Sequence, residues 1–166
     1  MGSTSPWYVV LPACDLMTDT PNPDRRTASL ATFFEKLTPE RLRTDLPSIY
    51  ADNASFKDPF NEVQGLPAIR AVFEHMFATT QSPRFEVIDS VTQGDQAWLS
   101  WHFLVGRPHG QTWCIRGATH VVYAPDGRVL RHRDYWDPVE ELYVRLPVLG
   151  PLMRWITRRL SAAHAR

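Results

Sequence analysis

The chain has 166 residues, a length that suits one domain around a single core. Its 18 Lys+Arg offset 18 Asp+Glu, so no basic field draws it to nucleic acid. Cys14 and Cys114 lie far apart, with no CxxC spacing and no matching His pair, which predicts reduced thiols and no metal; no apolar run reaches the roughly 18 to 20 residues of a membrane span, so a soluble, cytoplasmic protein is expected.

Residues 1–24 read as a disordered leader, or as sequence ahead of a true start at Met17. The run "WYVVLPA" before Cys14 is short and lacks a basic start, and Pro21, Asn22 and Pro23 cannot begin a packed element. Three helices follow. Leu30, Phe33, Phe34 and Leu37 recur at helical spacing, with Asp24 or Thr27 as cap and Pro39 past the end. Leu42, Leu46, Ile49 and Tyr50 share one face of a second helix, which Pro47 should bend or split. After Gly65 a third helix carries Pro67 in its first turn and buries Ile69, Val72, Phe73, Met76 and Phe77.

From Arg84 the period becomes two. Phe85, Val87 and Val91 alternate with polar residues, "QGDQ" turns, and Ala97, Leu99, Trp101, Phe103 and Val105 form the apolar face of a hairpin partner. A third strand, about Gln111 to Tyr123, sets Trp113, Ile115, Val121 and Tyr123 against Thr112, Arg116 and His120. "APDG" then leads into a fourth, Arg128 to Trp136. Helices followed by an antiparallel meander predict an α+β fold with helices on one face of a curved sheet. The last segment, 141–166, reads as a basic amphipathic tail. Its stripe of Leu152, Met153, Ile156 and Leu160 among Arg154, Arg158 and Arg159 either buries against the barrel or a partner, or lies weakly on an anionic membrane surface.

The order of helices, then "ASFKDPFNEVQGLPAIRAVFEHMF", then a meander closing on "GRVLRHRDYWDP", resembles the SnoaL-like branch of the nuclear-transport-factor-2-like (NTF2-like) superfamily over about Arg25 to Glu140. The resemblance implies a cone-shaped α+β barrel with an apolar pocket at its wide end, and homodimers. Within the superfamily the chain looks most like bacterial proteins with a similar "RDYFD" and basic tail, which supply a fold and no activity.

Three enzyme types on this fold bear comparison. "ASFKDP" resembles the base motif of ketosteroid isomerases and puts Asp58 at the base position, but their oxyanion-stabilising pair would fall near Phe34 and Thr119, which cannot replace it. "HRDYWD" resembles the closing motif of limonene epoxide hydrolases and equates Asp134 with their water-activating Asp. Their essential Arg and second Asp would fall near Trp101 and Phe103, so a push and pull of two carboxyls is missing. Polyketide cyclases of this fold work with little more than one pocket aspartate, which this sequence can supply.

Strand parity places Leu130, His132, Asp134 and Trp136 on the inner face and Val129, Arg131, Arg133 and Tyr135 on the outer. Asp134 then sits among Trp101, Phe103, Trp136, Phe34, Phe56, Ile115 and Thr119, as an acid/base group helped by His132 or Asp58. A leucine in its place should be neutral. The alternative is that Asp134 hydrogen-bonds His132 or the backbone to hold the barrel end, and that Asp58 only holds its loop. The sequence thus predicts a pocket for a small apolar molecule, without cofactor, used for chemistry of isomerase, cyclase or hydrolase type; the alternative is a non-catalytic ligand-binding or protein-interaction module. Outer residues Cys114, Ala118 and Val122 among Arg116 and His120 suit a two-fold homodimer.

Overall fold

Asp24 accepts the Arg26 backbone N–H at 2.9 Å, the cap that starts helix α1, Arg25–Glu35. The computed structural model describes residues 24–108 and 111–160; the leader expected at 1–24 lies outside the described residues apart from Asp24. Thr38 caps α2, Pro39–Ile49, which runs through Pro47 as one helix instead of splitting there. Pro47 falls in the last turn of the helix, two residues before Ile49 and on an exposed face, so the N–H it lacks removes a single hydrogen bond near the end. Gly65, at φ +87°, leads into α3, Leu66–Thr79.

Six strands form one sheet in the order β2-β1-β6-β5-β4-β3: β1 Tyr50–Lys57, β2 Glu62–Gln64, β3 Gln81–Gln93, β4 Gln96–Gly106, β5 Thr112–Tyr123 and β6 Val129–Tyr135. The fold is α+β, as expected, with the helices filling one side of a curved open sheet. The expected four-strand meander is β3 to β6. Strands β1 and β2 add to that meander: β2 has only three residues, Asp52 and Asn53 interrupt the apolar alternation of β1, and Tyr50 is the first residue of β1 rather than part of the second helix. β1 pairs parallel with β6, so the sheet is mixed and its first strand lies beside its last.

The parity expected for β6 also needs a correction. The register shifts between Val122 and Tyr123, so that Tyr123 pairs with Val129 and Leu130 is the extra residue. Val129 therefore joins the core with Val121, Tyr50 and Leu42, while His132 and Asp134 keep their inward direction.

Asp137 caps α4, Pro138–Glu141, and a 3₁₀ turn, Tyr143–Arg145, connects it to α5, Leu149–Leu160. Buried Glu141 ties this segment to β5, accepting from Arg116 Nε at 2.8 Å and Arg145 at 3.0 Å. Beyond that tie, α5 packs chiefly on the 3₁₀ turn. Met153 and Ile156 are half-covered there, but Leu149, Leu152, Trp155 and Leu160 stand exposed, so the described barrel does not bury the stripe as one expectation had it. No described helix is long and apolar enough to cross a membrane.

Candidate active site

Four strands aim polar side chains at one point inside the apolar half-barrel. Pairing sets His132 of β6 beside Phe56 of β1 and Val121 of β5, and sets Asp134 opposite Thr119, which itself faces Leu99 of β4. His132 is 3 % exposed; its ring stacks on Phe56 at 4.9 Å and meets Phe34 at 5.6 Å. A buried imidazole between aromatic rings needs polar partners for both nitrogens. It has them.

The Tyr50 hydroxyl lies 2.8 Å from His132 Nδ1, and His132 Nε2 lies 2.9 Å from Asp134 Oδ1. Thr119 Oγ1 also reaches Asp134 Oδ1, and the Trp101 indole N–H donates to Thr119 Oγ1 at 2.8 Å. The directions follow from the donor inventory. Tyr50 is fully buried with no other partner among the described residues, so its proton must go to Nδ1; burial, and then the Asp134 charge, push the phenol's pKa well above its ordinary value. Nε2 then carries the ring proton and donates to Asp134. Thr119, already accepting from Trp101, donates its own proton to the same oxygen. Two chains of donors therefore end on Oδ1, whereas Oδ2 has no partner among the described residues and the side chain is 18 % exposed.

Asp134 borders three spaces, one of them an open groove shared with Lys57, Asp58 and Arg133. Behind Asp134, a void of about 20 Å³ is lined by Leu30, Phe34, Phe73, Phe85, Leu99 and His132. In front, a cavity of about 330 Å³ opens to solvent, walled by Phe56, Phe85, Trp101, Phe103, Ile115 and Trp136. The void holds at most one water; the cavity suits a small ligand. The structure thus brings Phe34 and Thr119 to the inner void and the other expected pocket residues to the outer cavity. The Thr119 hydroxyl is taken up between Trp101 and Asp134.

Asp58 also borders the outer cavity, but its carboxylate faces its own loop. Its Oδ1 accepts the backbone N–H groups of Phe60 and Asn61 at 2.7 and 2.6 Å, and the Asn61 amide closes on both oxygens. It folds the turn between β1 and β2. Trp98 lies outside altogether, 44 % exposed and stacked on His120 and Tyr135, because even-numbered residues of β4 point away from the core. Among the described residues, no three or more His, Cys, Asp or Glu side chains gather as a metal site would require.

Residues 30–132 match the family model described as SnoaL-like domain. The chain belongs to the SnoaL-like family. No curated protein matches it. Solved structures share the fold at low identity. A proposed isomerase of the SnoaL-like family from Agrobacterium tumefaciens str. C58 is 20 % identical over 68 % of this chain and 95 % of its own, with a TM-score of 0.58. A protein of ketosteroid isomerase-like fold from Catenulispora acidiphila DSM 44928, in complex with trimethylamine, is 12 % identical over 70 % and 88 %, at 0.59. A proposed SnoaL-like polyketide cyclase from Jannaschia sp. CCS1 is 14 % identical over 70 % and 88 %, at 0.57.

Two residues of this SnoaL-like domain's site escaped the sequence reading. The spacing of Tyr50 with Leu42 and Leu46 points to a helix, and nothing local marks it as a partner of His132. Gly117 lies opposite Trp101 on the neighbouring strand, and a Cβ there would collide with the indole ring. A glycine in an inner-facing strand position was the available signal, since such a glycine often marks a close approach. Gly117→Ala is expected to push Trp101 out of place and cost about 1–3 kcal/mol. Thermal unfolding and near-ultraviolet circular dichroism check it; unchanged values in both would mean that the ring has another way to seat.

Proposed function

We propose that this SnoaL-like domain binds a small, largely apolar ring compound in the 330 Å³ cavity and moves a proton on it without a cofactor, using Asp134 Oδ2 as base and then acid. The observation that carries this reading is the asymmetry of the Asp134 carboxylate. One oxygen is held by two donors from a buried scaffold, and the other has no partner among the described residues on a side chain that lines the cavity, an asymmetry that suits preorganised proton transfer. His132 acts as a positioning residue, with both nitrogens committed. Isomerisation and cyclisation, named for two of the structural neighbours, are reactions that one proton-transferring carboxylate can serve.

The wall also narrows the substrate. Arg107, the arginine of the lining, is exposed, and Trp101 spends its N–H on Thr119. Charge developing deep in the cavity must then spread through the substrate's own conjugation, which favours a C–H acid flanked by carbonyl or aromatic groups. The test is hydrogen exchange in D2O, followed by NMR, at the acidic carbon of one- and two-ring aryl diketones. Exchange by the native protein and not by Asp134→Asn is expected. Saturable binding of these ligands with no exchange would leave a binding module.

A second copy of the chain is part of the same proposal. The outer face sets exposed Val91, Trp98 and Tyr135 beside His120, Ala118 and Val122, an aromatic-centred patch of the kind that two-fold contacts use. Light scattering should give a dimer mass at micromolar concentration and a monomer mass for Trp98→Glu. A monomeric native protein removes the claim.

A further inference from the structure

From Leu142 to Arg166 the sequence holds Arg145, Arg154, Arg158, Arg159 and Arg166 and no acidic residue, in a chain whose net charge is zero. The positive charge is gathered at one end. Arg145 is engaged by Glu141 and the Cys114 carbonyl, and Arg154 donates to the Val144 carbonyl at 3.0 Å. Arg158 and Arg159 have no acidic partner among the described residues; Arg159 lies over the Trp155 ring at 5.2 Å. Beside them, Leu152 and Leu160 are half or more exposed, and Trp155 is 57 % exposed. A twelve-residue helix thus offers solvent a continuous surface of leucine, indole and guanidinium.

We propose that α5 docks in the plane of an anionic lipid surface, with Leu149, Leu152, Trp155 and Leu160 at the boundary between headgroups and acyl chains and Arg158 and Arg159 on lipid phosphates. This combination is what an interfacial helix needs: apolar contact, an amphipathic ring at the boundary, and positive charge without competing acids. A second copy fits the face poorly. A two-fold contact sets a patch against itself, and would press Arg158 and Arg159 against their own counterparts. The segment feeding α5 also borders the ligand cavity, since Leu142 lines it and Arg145 reaches the Trp113 ring at its wall. If the cavity reading holds, docking brings the cavity near a reservoir of apolar molecules; the docking itself does not depend on that reading.

Flotation of the full chain tests the proposal, using vesicles of phosphatidylcholine alone and with about 30 % phosphatidylglycerol. Binding to the anionic vesicles at least roughly tenfold above the neutral ones, weakened by salt, is expected. Arg158→Glu with Arg159→Glu should lower partitioning by roughly 10²-fold, and Leu152→Ser with Trp155→Ser by roughly tenfold or more, with melting temperature and solution mass unchanged. No preference for anionic vesicles, or flotation indifferent to both double variants, overturns the proposal. So does a fall in solution mass in either variant, which would show that another copy covers the helix.

Discussion

Asp134→Asn is expected to slow proton exchange by about 10²- to 10⁴-fold while leaving the melting temperature within about 2 °C of the native value. The amide keeps an oxygen where Oδ1 sits, so the His132 Nε2–H and the Thr119 hydroxyl still find an acceptor. What it loses is the ability to accept a proton at the second oxygen, which has no partner among the described residues. Asp134→Leu behaves differently. Strand parity alone suggests that leucine should be neutral, but the structure shows two buried donors ending on this carboxylate. Leucine strands both, at about 1–3 kcal/mol each. Paired melting curves and exchange rates separate the roles: if Asn destabilises as much as Leu, Asp134 holds the barrel together, and the catalytic reading fails.

His132→Phe should be among the most destabilising conservative changes in the domain, at about 2–4 kcal/mol. The ring shape survives between Phe34 and Phe56, but the fully buried Tyr50 hydroxyl loses its acceptor. Adding Tyr50→Phe removes that stranded group. The double variant should therefore be more stable than His132→Phe alone, although Tyr50→Phe by itself costs about 1 kcal/mol. Tyr50 also sets an alkaline limit. Its pKa is raised in the fold, so its contribution is complete below the unfolded phenol's value of about 10 and is lost as pH rises beyond it. The Tyr50→Phe protein should lose less stability between neutral pH and pH ~11 than the native protein does. Additive single and double variants, with parallel alkaline losses, would mean that the Tyr50–His132 contact carries no energy.

Periodicity and parity are properties of the chain itself, and what rests on them was legible without coordinates. Spacing marked α1, α3 and the strands β3 to β6, and parity turned His132 and Asp134 toward Trp101, Phe103 and Phe56. What needed the tertiary structure is everything set by which segments meet. The parallel pairing of β1 with β6 joins Tyr50 to His132 across 82 positions, and no local pattern carries such a contact. The bulge at Leu130 moves Val129 into the core, because an extra residue in one strand is defined only against its partner. Asp58 and Asp134 look alike as carboxylates in family-like motifs. They part in the fold because loop amides converge on the first, while the second receives two side-chain donors on one oxygen and leaves the other without a partner among the described residues. The apolar stripe of α5 is equally plain in the sequence, yet an amphipathic helix does not say what covers it. That depends on whether the barrel has a face to offer, and among the described residues α5 finds mainly the 3₁₀ turn.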